Sequence, residues 1–130
     1  MREITPGYTA EVSVTVTADK LASAVGSGSL DVFATPMMAA LMEQAACEAA
    51  APFLEEGETT VGTELSIRHT AATPQGMTVT ARAELLSANG RELTLRVSAS
   101  DTAGEIGSGT HKRFVVDAER FRKKAEARGK

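Results

Sequence analysis

The amino-acid sequence predicts an α+β domain in which one long helix lies against an antiparallel sheet. Three observations lead there. One helical stretch, from about Pro36 to Leu54, is built almost wholly of small or apolar residues. Four segments after it alternate apolar and polar residues with the period of a strand. One more alternating segment precedes it, so the order is strand, helix, then four strands.

Ala10 to Thr17 alternates cleanly and forms the first strand. Lys20 to Asp31 is rich in Gly, Ser and Ala and is expected to be flexible. The helix has a sharp start: Thr35 suits the N-cap, and Pro36 suits the first helical position, where its missing N–H is not needed. It ends in the acidic turn Glu55-Glu56-Gly57-Glu58. The next strand spans about 60–71, with Val61, Leu65 and Ile67 on the apolar parity and Glu64, Ser66 and Arg68 on the polar one. Strands at about 77–87, 91–100 and 105–116 follow. Asn89-Gly90 is a preferred pair for a tight hairpin, and Ala103-Gly104 turns the next one. Gly107 and Gly109 weaken the last strand, so they predict either a bulge or the close approach of another backbone or a ligand. From Asp117 onward a charged tail has helical propensity.

Size and charge narrow the function. The 130 residues suit one domain, 1–130, large enough for a real core. A net charge of −3 gives no electrostatic case for nucleic acid or an anionic membrane. With one Tyr and no Trp, base-stacking platforms are disfavoured. The single cysteine, Cys47, makes no internal disulfide, lacks metal-site spacing, and reads as packing among alanines. No apolar run is long enough for a bilayer, and Met1 to Val14 shows no secretion signal, so a cytoplasmic protein is expected.

Two titratable residues stand on faces where burial is expected. On the helix, the solvent stripe runs Gln44, Glu48, Glu55; Glu43 lies about 100° away, among Pro36, Ala39, Ala40, Ala46, Cys47 and Ala50. A carboxylate on a small apolar face has to find a partner, shift its pKa or work. On the strand at 60–71, His69 falls on the apolar parity. A carboxylate and an imidazole facing each other across a helix–sheet contact form a general acid–base pair; separately, each is a border or core residue.

Several stretches resemble a known family. Phe33-Ala34-Thr35, Leu41-Met42-Glu43, Val61-Gly62-Thr63, Arg68-His69-Thr70-Ala71-Ala72-Thr73-Pro74 and Glu105-Ile106-Gly107-Ser108-Gly109-Thr110-His111 resemble the fluoroacetyl-CoA thioesterases, and the resemblance runs from about Val32 to Phe114. It implies a hot-dog fold, a five-stranded antiparallel sheet wrapped around the helix. It implies hydrolysis of short-chain acyl-CoA thioesters, with Thr35, Glu43 and His69 as the catalytic set and Gly62 at the substrate carbonyl. It also implies homodimers, with Thr35 and Glu43 of one chain facing His69 of the other. No metal or cofactor is expected, coenzyme A being part of the substrate. His111 and Arg113 are candidates to receive its phosphates. The Lys20 to Val32 stretch departs from the family in being short and poor in aromatic residues, with only Phe33 near the substrate, so discrimination of fluoroacetyl from acetyl groups is expected to be weak. Glu43 as nucleophile and Glu43 as general base both fit, and a hot-dog hydratase or dehydratase and a non-catalytic acyl-CoA-binding dimer are the alternatives.

Overall fold

The computed structural model describes residues 1–130. Strand β1 (Thr9–Thr15) leads through a 3₁₀ turn into a short helix α1 (Ala22–Val25) and then α2 (Thr35–Ala50), which closes in a second 3₁₀ turn. Strands β2 (Glu58–His69), β3 (Thr78–Asn89), β4 (Glu92–Asp101) and β5 (Gly104–Asp117) follow, and α3 (Ala118–Arg128) ends the chain. All pairings are antiparallel, in the order β1-β3-β4-β5-β2. The expected α+β arrangement is therefore present, with both edge strands, β1 and β2, open. No helix is long and apolar enough to cross a membrane.

The core fills the concave side between sheet and helix. Val79, Ala81, Ala83 and Leu85 of β3 and Leu93, Leu95, Val97 and Ala99 of β4 are buried against Met38, Leu41, Met42, Ala45, Ala46, Ala49 and Ala50 of α2. This corrects the helix face expected for Glu43. Of that set only Ala46 and Ala50 are buried; Pro36, Ala40 and Cys47 are exposed and Ala39 is half-buried. The helix is apolar almost all round, and the sheet takes the arc carrying the large Met and Leu side chains because they remove most area from water. Cys47 is accordingly not a packing residue but an exposed thiol.

Turns and loops also differ in detail. The β3–β4 hairpin turns on Gly90-Arg91, with Asn89 paired to Glu92. Gly90 has φ of 61° and Arg91 is not in the positive region, the pattern of a type II′ turn rather than the I′ turn expected for Asn-Gly. The Lys20 to Asp31 stretch is folded rather than open. Leu21 and Ala22 are buried, Leu21 bridges to Phe33, the Ala22 and Ser23 N–H groups donate to Val32 and Leu30, and Ser23 Oγ donates to Asp31 at 2.6 Å. Small residues here permit a tight closed loop.

Gly107 and Gly109 meet both expectations: the β4–β5 register shifts at Ile106, a bulge beside Gly107, and both glycines lie against close neighbours. A Cβ on Gly107 would sit 2.7 Å from Met38 Sδ, and one on Gly109 would sit 2.7 Å from Ile67 Cα and 2.9 Å from its Cγ2. Gly109→Ala is expected to lower unfolding stability by about 1–3 kcal/mol through overpacking. Urea unfolding measures this, and an unchanged midpoint would contradict the packing described.

Candidate active site

Strand β2 carries the site because of one irregularity. Its register with β5 shifts between Gly62 and Glu64, leaving Thr63 as a bulge. Thr60 and Gly62 before it, and Leu65, Ile67 and His69 after it, therefore share the concave face, opposite Val115, Arg113, His111, Gly109 and Gly107 of β5. Val61, expected inside, points out beside Phe114.

The named residues fall into two groups. In the first, Thr35 Oγ1 lies 2.8 Å from His69 Nδ1. Thr35 is thus not the N-cap; that position is Ala34, and the Thr35 hydroxyl bonds across to β2 instead of to its own helix. His69 Nε2 is buried with no hydrogen-bond partner. The two side chains, with Leu30, Phe33, Thr70 and Ala72, line a pocket of about 420 Å³ walled by the folded 20–32 loop. Phe33 is itself buried to 1% exposure, so it forms the pocket floor and not a surface lid.

In the second group, Arg113 lies buried at 6% exposure on the concave face. Its Nε donates to Thr60 Oγ1 at 2.8 Å and its Nη2 to the Thr60 carbonyl at 3.0 Å. Its Nη1 donates to His111 Nε2 at 3.1 Å and stands 3.7 Å from Glu43 Oε2. His111 Nδ1 donates to the Glu64 carbonyl at 2.7 Å, so its partners fix a neutral ring. Gly62 makes room for this set: a Cβ there would be 2.9 Å from Glu43 Oε2 and 3.2 Å from Arg113 Nη1. His111 and Arg113 therefore do not stand at an entrance, as the sequence led us to expect, but under Glu43, whose side chain remains 43% exposed. Thr60, which anchors the guanidinium, was missed; only the parity before the bulge could have marked it.

Within one chain the two groups stay apart. Thr35 and Glu43 are eight residues apart on α2, about 12 Å of helix rise. The expected division, with His69 supplied across from Thr35 by another chain, does not hold, since those two bond within one chain.

A family model described as fluoroacetyl-CoA-specific thioesterase (FlK) matches residues 16–119. The chain belongs to this family. The fluoroacetyl-CoA thioesterase of Streptantibioticus cattleyicolor is 55% identical over 94 residues, covering 72% of this chain and 68% of that one. A solved structure of the fluoroacetyl-CoA thioesterase FlK superposes with a TM-score of 0.89 at 42% identity, covering 96% of this chain and 97% of that chain. A hypothetical Thermus thermophilus protein of the thioesterase superfamily gives 0.88 at 32% identity, over 98% and 97%. The fold is the hot-dog fold, as the sequence resemblance implied.

Both histidines of this family member are held below their ordinary pKa of 6.5. For His69 burial is the main cause, partly opposed by the nearby Ala71 backbone. For His111 burial again leads; the Glu64 carbonyl and the Glu43 charge oppose it, and the Arg113 charge adds to it. Such groups bind protons more readily unfolded than folded, so their neutral forms are favoured above about 6.5 and stability falls as pH drops below it. Urea midpoints should accordingly decrease from pH 7.5 to pH 5, a range above the ordinary carboxylate values. A flat profile, or a rise on acidification, would contradict the neutral assignment.

Proposed function

We propose that the protein hydrolyses short-chain acyl-CoA thioesters, fluoroacetyl-CoA among them, at a site that two copies of the chain complete together. Membership of the thioesterase family supports the reaction. The observation that carries the shared site is the separation of Thr35–His69 from Glu43–Gly62–Arg113, each an incomplete half.

Antiparallel pairing of the open β2 edge with the same edge of a second copy joins the halves. The exposed Pro36, Ala40 and Cys47 face of α2 is free to meet its copy. Pairing closes an edge that would otherwise recruit other chains. Each of the two sites then holds Glu43 and Gly62 from one chain and Thr35 and His69 from the other.

The chemistry follows from those groups. The Gly62 N–H and the first turn of α2 with its Thr35 hydroxyl are donors for the carbonyl oxygen as it gains negative charge. The Glu43 carboxylate, held by the buried Arg113 charge, either attacks the carbonyl carbon or takes a proton from an attacking water. In the first route the carbon–sulfur bond breaks, CoA leaves as thiolate, and water then hydrolyses the mixed anhydride; in the second the water oxygen adds to the carbonyl carbon as Glu43 takes its proton, and the tetrahedral adduct collapses with cleavage of the carbon–sulfur bond, releasing the acid and CoA thiolate. The unpartnered His69 Nε2 relays to the departing thiolate the proton taken from water. No cofactor or metal enters either route. Thr35 and Glu43 standing on one helix favour hydrolysis over the hydratase alternative.

Free-thiol release from acetyl-, fluoroacetyl- and longer acyl-CoAs tests the reading. The wild type should turn over the short thioesters, with modest preference for fluoroacetyl, because small residues and Leu30 form the loop side of the pocket. Glu43→Gln should remain folded and lose about 10²-fold or more in kcat on each of them. A Glu43→Gln protein that matches the wild type, or a wild type inert on the whole panel, would overturn it.

A further inference from the structure

We propose that the cleft between α3 and the outer face of β5 binds the adenosine 3′,5′-bisphosphate end of the coenzyme A thioester. The inference rests on the thioesterase reading above and adds a second anchoring point, on the opposite side of the sheet from the reacting groups.

The cleft has about 550 Å³ and is lined by Arg91, Phe114, Val116, Arg120, Phe121 and Lys124, with Asp117 and Val115 at its base. Its charge is selective. Arg122 of α3 is paired with Glu119 and Glu126, each at 2.5 Å, and Lys123 with Glu119 at 3.8 Å. Arg120 and Lys124 join no ion pair, stand four residues apart on one face of α3, and both turn to the cleft. Arg91 adds a third cation, already shared with Glu58 at 3.1 Å. The one carboxylate in the lining, Asp117, is occupied as the N-cap of α3, accepting from the Arg120 N–H at 2.9 Å. A chain of net charge −3 thus gathers unpaired positive charge at one place.

Between those cations stand two exposed aromatic rings, Phe114 at 39% and Phe121 at 42%. Helix α3 buries none of its residues, so it adds nothing to the core, and it packs mainly on β5. Paired cations beside open aromatic faces are the chemistry that recognises a purine nucleotide: phosphate oxygens on Arg and Lys, the base against a ring.

The position fits the substrate. Phe114 is paired with Val61 on the outer face, and its neighbour Arg113 is paired with Gly62 on the inner face. The cleft therefore lies behind the Glu43–Gly62 cluster, separated from it by the sheet and one strand in from the β2 edge. The pantetheine arm, as long as about four residues of extended chain or roughly 14 Å, spans a path around one strand spaced about 4.8 Å from its neighbour.

The test compares acetyl-CoA with S-acetylpantetheine, which lacks the nucleotide, in the wild type and in the double variant R120E/K124E, both substitutions on an exposed helix. For acetyl-CoA the variant should raise KM about tenfold or more with kcat kept, the signature of lost ground-state binding away from the reacting groups. For S-acetylpantetheine both constants should be unchanged. Titration calorimetry with adenosine 3′,5′-bisphosphate alone should show binding to the wild type and none to the variant. An unchanged KM for acetyl-CoA, an equal change on both substrates, or calorimetry that finds the nucleotide bound equally by wild type and variant would overturn the proposal. A wild type inert on both thioesters would sink the thioesterase reading instead, and the calorimetric arm would still decide the cleft.

Discussion

The extra residue in β2 is the constraint on which the site depends. Gly62 and His69 are seven positions apart, an odd number, so a regular strand would send them to opposite faces of the sheet. The bulge at Thr63 cancels one residue of the count and brings Thr60, Gly62, Leu65, Ile67 and His69 onto the same concave face. Without it, the Thr35–His69 bond and the approach of Glu43 to Gly62 could not both form.

Below that face, the Arg113 guanidinium imposes its own demands. A buried cation is costly unless its donors are satisfied and an opposite charge is near. Thr60 supplies a hydroxyl and a carbonyl, His111 a ring nitrogen, and Glu43 the charge. The arrangement runs both ways: Glu43 compensates the cation, and the cation holds the carboxylate over Gly62. His111 can accept from Arg113 only as a neutral ring, which the Glu64 carbonyl enforces by taking the Nδ1 proton. Four residues that look like independent polar positions in the sequence act as one unit, so removing Thr60, His111 or Glu43 leaves the buried guanidinium short of a partner.

Much of this was legible in the sequence, and the gaps have physical causes. Every strand was located from its alternation, to within one or two residues, and the long helix from its composition. Glu43 and His69 were singled out by pattern and Thr35 and Gly62 by resemblance, and the structure places each in one of two separate sets. What failed was direction. An almost wholly apolar helix has no clear face, and side-chain size, not polarity, chose the Met and Leu arc for the core, leaving Cys47 and Ala40 outside. Alternation counts residues and does not see a bulge, so Val61 was placed inside and Thr60 overlooked. His111 and Arg113 read as surface cations because nothing in a sequence tells a buried, fully bonded arginine from a solvated one. The 20–32 loop read as mobile from its glycines and serines, yet buried Leu21 and Ala22 and a set of short-range hydrogen bonds close it.

Complementation between two inactive variants tests the central claim most directly, that each site takes Glu43 from one chain and Thr35 and His69 from the other. His69→Ala and Glu43→Gln are prepared separately, shown to be inactive dimers, then unfolded together and refolded as a mixture. Half of randomly assorted dimers carry one of each chain, and each mixed dimer holds one intact site of two, so acetyl-CoA hydrolysis should return to about one quarter of the wild-type value. A mixture as inactive as its components, with mixed dimers shown to be present, would mean that every site draws its residues from a single chain, and would contradict the account.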